Sequence, residues 1–144
     1  MGYSPLILAF FRAVFVLSVL TACPAGLAAS LSESEMRKAL VQANKQLPVI
    51  VDQETKTRLD NISLSGKTVS YNYTVMTLET TVSLPAWVID NEKRELIAKT
   101  CADPGMRKMY LETGYSVVHV YRCRDGSVFS STLVSPSDCN KSRK

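Results

Sequence analysis

Thr68-Val69-Ser70-Tyr71-Asn72-Tyr73-Thr74-Val75-Met76-Thr77 is the stretch on which the fold turns. Val69, Tyr71, Tyr73 and Val75 alternate with Ser70, Asn72, Thr74 and Met76. Side chains of a strand point to opposite faces with period two, so this reads as an antiparallel strand with one face buried and one wet. Just upstream, Ser65-Gly66-Lys67 is a turn, and Arg58–Ser65 is its hairpin partner, with Leu59, Asn61 and Ser63 alternating against Asp60, Ile62 and Leu64. Downstream, Pro85 suits the first turn of a helix. That helix carries Val88 or Ile89, Leu96, Ile97 and Thr100 on one side, and Asp90, Glu92, Lys93, Arg94 and Glu95 on the other. Asp103-Pro104 is a second start signal, Asp as N-cap and Pro at N1, so the helical region kinks near Cys101–Pro104. It runs to Thr113, where Gly114 stops it.

Further out on the C-terminal side, Tyr115, Val117, His119, Tyr121 and Cys123 alternate with Ser116, Val118, Val120 and Arg122. Arg124-Asp125-Gly126 turns the chain into a last strand, Val128–Val134. On the N-terminal side, Ser32 with Glu35 makes a capping box, in which each side chain satisfies a free N–H at a helix start. Met36, Leu40, Ala43 and Leu47 recur at helical spacing until Pro48, giving a helix over about Glu33–Gln46. The order is α-β-β-α-β-β. It predicts a single α+β domain over residues 30–144, one four-stranded antiparallel sheet with helices packed on one face.

Residues 1–29 read differently. Between Pro5 and Ala22 the only charge is Arg12, which splits the stretch into Leu6–Phe11 and Ala13–Ala22. Each half is too short to span a bilayer, and Arg at mid-depth of a span is costly. An export signal is the expected reading. Leu20-Thr21-Ala22-Cys23 fits a lipobox, in which the Cys23 thiol takes diacylglycerol before cleavage leaves it as the new N-terminus. Ordinary cleavage near Gly26-Leu27-Ala28 or Leu27-Ala28-Ala29 is the alternative. A lipid on Cys23 would hold the domain on a membrane surface; Pro24, where an Asp would favour inner-membrane retention, leans towards the periplasmic face of the outer membrane. Without the lipid, the protein is soluble in the periplasm or secreted. The net charge of +4 falls by only one unit when the leader is removed, because Arg12 is its only charge. That is too mild a basicity to imply a nucleic-acid partner.

Cys101, Cys123 and Cys139 remain in the mature chain, and an oxidising destination predicts one disulfide and one odd thiol, with three pairings open. Cys123 reads as a free, half-buried thiol. The chain has no C-x-x-C and one histidine, His119, so no metal site and no cofactor is expected. His119 lies between valines in mid-strand and reads as structural. No phosphate loop, nucleophile elbow or zinc helix is present, and no enzyme is expected. Tyr71, Tyr73, Tyr115 and Tyr121 read as sheet filling. Trp87, Val88 and Ile89, at the start of the second helix, are the candidate apolar contact for a partner, against a place for Trp87 in the core.

The run Thr100-Cys101-Ala102-Asp103-Pro104-Gly105-Met106-Arg107-Lys108-Met109-Tyr110-Leu111-Glu112-Thr113-Gly114-Tyr115-Ser116 resembles the S-protein pilotins of type II secretion systems. The matching features are the lipobox Cys23, Cys101 to Pro104, Gly114 with its apolar strand, the late Cys139, and Asn44 with Gln46-Leu47-Pro48. The resemblance implies a Cys101–Cys139 disulfide. It also implies a lipoprotein that binds the C-terminal segment of a secretin and carries it to the outer membrane. Cys123 departs from that family's two-cysteine pattern. Leu47-Pro48, Asp52, Thr55 and the Tyr71-Asn72-Tyr73 strand resemble a second family, small secreted or periplasmic quorum-sensing-regulated virulence factors. That resemblance implies a soluble factor, virulence-associated, an inhibitor or an immunity protein, with no lipid.

Overall fold

A computed structural model describes residues 31–141. The leader, with Cys23 and both cleavage alternatives, lies outside the described residues. Helix α1 is Glu33–Asn44. Its capping box is formed: the Glu35 N–H donates to Ser32 Oγ at 3.2 Å and the Ser32 N–H to Glu35 Oε2 at 2.9 Å. Met36 and Leu40 are buried, with Ala43 and Leu47 packed partly behind them. The helix stops two residues before the expected Gln46, and Leu47–Pro48 is a cis peptide.

The strands are β1 (Val49–Asp52), β2 (Thr57–Ser65), β3 (Thr68–Val75), β4 (Ser116–Arg122) and β5 (Val128–Val134). They form one sheet in the order β1-β2-β3-β4-β5. Two features of the expected sheet are corrected. It has five strands, because Val49–Asp52 pairs antiparallel with the start of β2. It is mixed, because β3 and β4 run parallel, Thr68 opposite Ser116 through to Thr74 opposite Arg122. The helical region between them makes the parallel pairing possible: it carries the chain back to the end where β3 began, as a crossover does and a hairpin cannot. The β2–β3 and β4–β5 hairpins are antiparallel, as expected.

A bulge in β2 explains its mixed sequence pattern. Leu59 faces Tyr73, and Asn61 faces Asn72, so Asp60 is the extra residue. One added residue flips the phase, which puts both Leu59 and Ile62 into the core although they belong to opposite alternation sets. Beyond the reach of β1, the Asn44 side chain stands in for a strand. Its Nδ2 donates to the Ile62 carbonyl at 2.7 Å, and its Oδ1 accepts from the Ile62 N–H at 2.8 Å. The β1–β2 corner is closed by Asp52, which accepts from the N–H of Glu54 at 3.0 Å and from the Thr55 hydroxyl.

Helix α2 is Ala86–Ala102 and α3 is Pro104–Met109, broken between them by Asp103, whose Oδ1 accepts from the Met106 N–H at 2.8 Å. A 3₁₀ turn, Leu111–Thr113, ends at Gly114 with φ +84°, a left-handed conformation that lets the chain reverse into β4. Helix α4, Pro136–Lys141, is tied to α2 by the Cys101–Cys139 disulfide, with Cα atoms 5.2 Å apart. Leu96 of α2, Tyr110, Leu111 and the α1 stripe pack with Val69, Tyr71, Tyr73, Val75, Val117 and Tyr121 in a single core on one sheet face. Ser70, Asn72, Thr74, Val118 and Val120, on the other face, stay partly exposed.

Cys123 is a free thiol and is fully buried rather than half-buried, because β4 carries its inward alternation one residue past its end. His119 is in the core at 0% exposure. The Thr100 hydroxyl donates to the Leu96 carbonyl at 2.8 Å, so its oxygen accepts from His119 Nε2 at 3.2 Å. That leaves Nδ1 to accept from the Tyr73 hydroxyl at 3.3 Å. Trp87 is 66% exposed, so it is not a core residue. No described helix is long and apolar enough to cross a membrane.

Candidate functional site

A cleft of about 230 Å³ opens where three segments meet. Its walls are Val82 and Leu84 from the segment that follows β3, Ile89, Glu92 and Lys93 from the first half of α2, and Phe129, Ser130 and Ser131 from β5. Each wall has a local cause. The segment after β3 is pinned against the β4–β5 turn: the Arg124 N–H donates to the Leu78 carbonyl at 2.8 Å, the Asp125 N–H to the Glu79 carbonyl at 3.1 Å, and Arg124 pairs with Glu79. Pro85, which has no N–H to satisfy, then opens α2, and its carbonyl accepts from Val88 at 3.0 Å.

The third wall is an edge. Among the described residues, strand β5 pairs only with β4, so its outer row of backbone N–H and C=O groups lacks a strand neighbour. Ser130 faces Tyr121 and Val128 faces Arg122, which makes Phe129 a bulged residue. A bulge re-aims side chains, and here Phe129 lines the cleft instead of continuing the ladder. Trp87, Ile89 and Val128 are exposed apolar residues on the elements that build it.

One wall residue is anomalous. Glu92 is only 9% exposed, and its Oε2 has no hydrogen-bond partner among the described residues. Burial, and then the neighbouring Glu95 charge, push its carboxyl up to about 7, against a smaller opposing pull from Lys99. A carboxylate removed from water without a partner is held at a cost, and its proton affinity rises accordingly.

Of the sequence-derived candidates, Ile89 lines the cleft, whereas Val88 is half-buried and Trp87 exposed outside the lining. Cys101 and Cys139 are joined to each other at the far end of α2. Among the described residues, no cluster of three or more His, Cys, Asp or Glu is placed to hold a metal. Sequence reading put Glu92 on the polar face of its helix, and the structure corrects that. Glu92, Leu96 and Thr100 are spaced four apart and share the buried stripe, a signal present in the sequence. Phe129, Ser130 and Ser131 were legible only as a strand, because the cleft beside them is a product of tertiary packing.

No family model matches the chain, and no curated protein does. Solved structures do. A pilotin from the Vibrio vulnificus type 2 secretion system, EpsS, matches with TM-score 0.54 and 19% identity, over 71% of this chain and 86% of that one. The type II secretion pilotin AspS from Vibrio cholerae matches with TM-score 0.51 and 18% identity, over 71% and 86%. A Pseudomonas aeruginosa protein described as secreted matches with TM-score 0.58 and 12% identity, over 74% and 90%. This chain therefore has the fold seen in two type II secretion pilotins and in a bacterial protein described as secreted.

Proposed function

We propose that the protein is an exported, pilotin-like binding protein, with no catalytic role. It would capture the C-terminal segment of a secretin in the cleft between α2, the Val82–Leu84 segment and the edge of β5. A lipid on Cys23 would then carry the captured segment to the outer membrane. The observation that carries this reading is the conjunction of an open strand edge and an exposed apolar helix face around one cleft, on a fold also used by two pilotins. Such a site takes a peptide as an added strand or as a helix laid in a groove, with apolar side chains in the pocket.

The test is retention of a secretin C-terminal peptide by the immobilised protein, against an Ile89→Arg variant. Ile89 is 38% exposed, so the substitution fills the cleft mouth with charge and leaves the core alone. Wild type is expected to bind, and the variant to lose at least about tenfold in affinity. Equal binding by both would move the site elsewhere. No binding by wild type would leave a second reading, a freely soluble periplasmic or secreted factor. That reading is favoured by the match to the secreted Pseudomonas aeruginosa protein.

A further inference from the structure

The cleft combines apolar walls with a single uncompensated acid. Glu92 Oε2 is buried at the wall and has no hydrogen-bond partner among the described residues. The charged groups around it do not neutralise it. Lys99, one of two cations near it on α2, is shared with Glu95 at 3.7 Å, and Glu95 adds repulsion. Lys93 also lines the cleft, with its side chain exposed to solvent. From the sheet, Tyr121 of β4 feels Glu92 as a negative charge and is itself held un-ionised by burial. Ser130 and Ser131 of β5 and Val82 and Leu84 bring no charge.

A buried carboxylate in this setting is completed by a cation. We propose that Glu92 sets the specificity of the cleft, receiving a lysine or arginine side chain carried by an otherwise apolar partner segment. This rests on the capture reading and names the chemistry of the segment captured. A neutral or acidic residue at that place gives the carboxyl no counter-charge, so it must take up a proton or stay desolvated, and either lowers affinity relative to a cation.

The proposal is tested by selecting a displayed library of random twelve-residue peptides on the immobilised protein, with counter-selection on Ile89→Arg to keep cleft binders. The expected winners are apolar with one fixed Lys or Arg. Norleucine in place of that residue should weaken binding to wild type about tenfold or more. The same change should make little difference to a Glu92→Gln variant, which keeps the shape and loses the charge. Affinity for the cationic peptide should fall as pH drops through about 7, where the free carboxyl takes its proton, and should stay flat in Glu92→Gln. Purely apolar or acidic winners, or equal binding of the lysine and norleucine peptides, would overturn the proposal and leave cleft capture standing. If no peptide survives counter-selection, cleft capture fails and the role of Glu92 fails with it.

Discussion

Burial moves the titrations of His119 and Glu92 in opposite directions. Burial lowers the His119 imidazole from 6.5 to about 4. The unfolded chain therefore takes a proton that the folded chain refuses. The stability from burying neutral His119 is complete above pH 6.5 and is lost as pH falls towards 4, by about 3 kcal/mol. Glu92 has the reverse sign. Its folded carboxyl is raised from 4.5 to about 7, so the folded chain holds a proton that the unfolded chain has released, and stability grows as pH falls from 7 towards 4.5. The wild-type stability profile should be comparatively flat across this window. Urea unfolding of Glu92→Gln should show stability rising from pH 4.5 to 6.5, the His119 contribution alone. His119→Gln should show it falling from pH 4.5 to 7. Identical slopes in both variants would mean that neither group governs the profile.

At the scale of elements, the Cys101–Cys139 bond joins α2 to α4 across a sequence separation of 38. Closing that loop in the unfolded chain contributes about 3–4 kcal/mol. Cys101→Ser combined with Cys139→Ser should lower the unfolding free energy by that amount in urea titration, with the sheet signal in circular dichroism retained. A loss below about 1 kcal/mol would show that the unfolded chain gains little freedom from the cut. The elements also show how far the sequence could be read. The α1 capping box, the β3 alternation, the Asp103-Pro104 restart and Gly114 were legible because each is a local signal with a local cause. Strand β1 was not: Val49-Ile50-Val51-Asp52 is short, follows a helix directly through Pro48, and becomes a strand only by pairing with β2. The parallel β3–β4 pairing was not legible either, since element order alone does not say which end of a sheet a crossover returns to. Ile89 was found from its place on α2. Glu92 was assigned to the wrong face because charge outweighed its spacing to Leu96, and the β5 wall had no sequence mark.

For the molecule as a whole, the proposed anchor is joined to Leu31, where the described residues begin, by the short run from Cys23. At full extension eight residues reach about 28 Å, so a lipid on Cys23 would hold the start of the folded domain within that distance of the membrane surface. Intact mass of the protein isolated from cells, with and without reductant, reads this directly. A lipid-modified start at Cys23 together with one internal disulfide is the expected result. An unmodified start near Ala29 or Ser30 would remove the carrier role and favour the soluble factor.

The parallel seam between β3 and β4 also governs how the chain comes together in time. Hairpins β2–β3 and β4–β5 each close across a short turn, whereas the seam joins Thr68 to Ser116 and cannot form until the whole helical crossover has been made. Long-range pairings of this kind are the slow part of assembly. A chain emerging N-terminus first would therefore present the finished first hairpin, with Tyr71 and Tyr73 on its apolar face and β3 as an unsatisfied edge, while its partner strand was still to come. That interval is when the protein is most prone to wrong pairing with its neighbours, and when a holding chaperone would matter most.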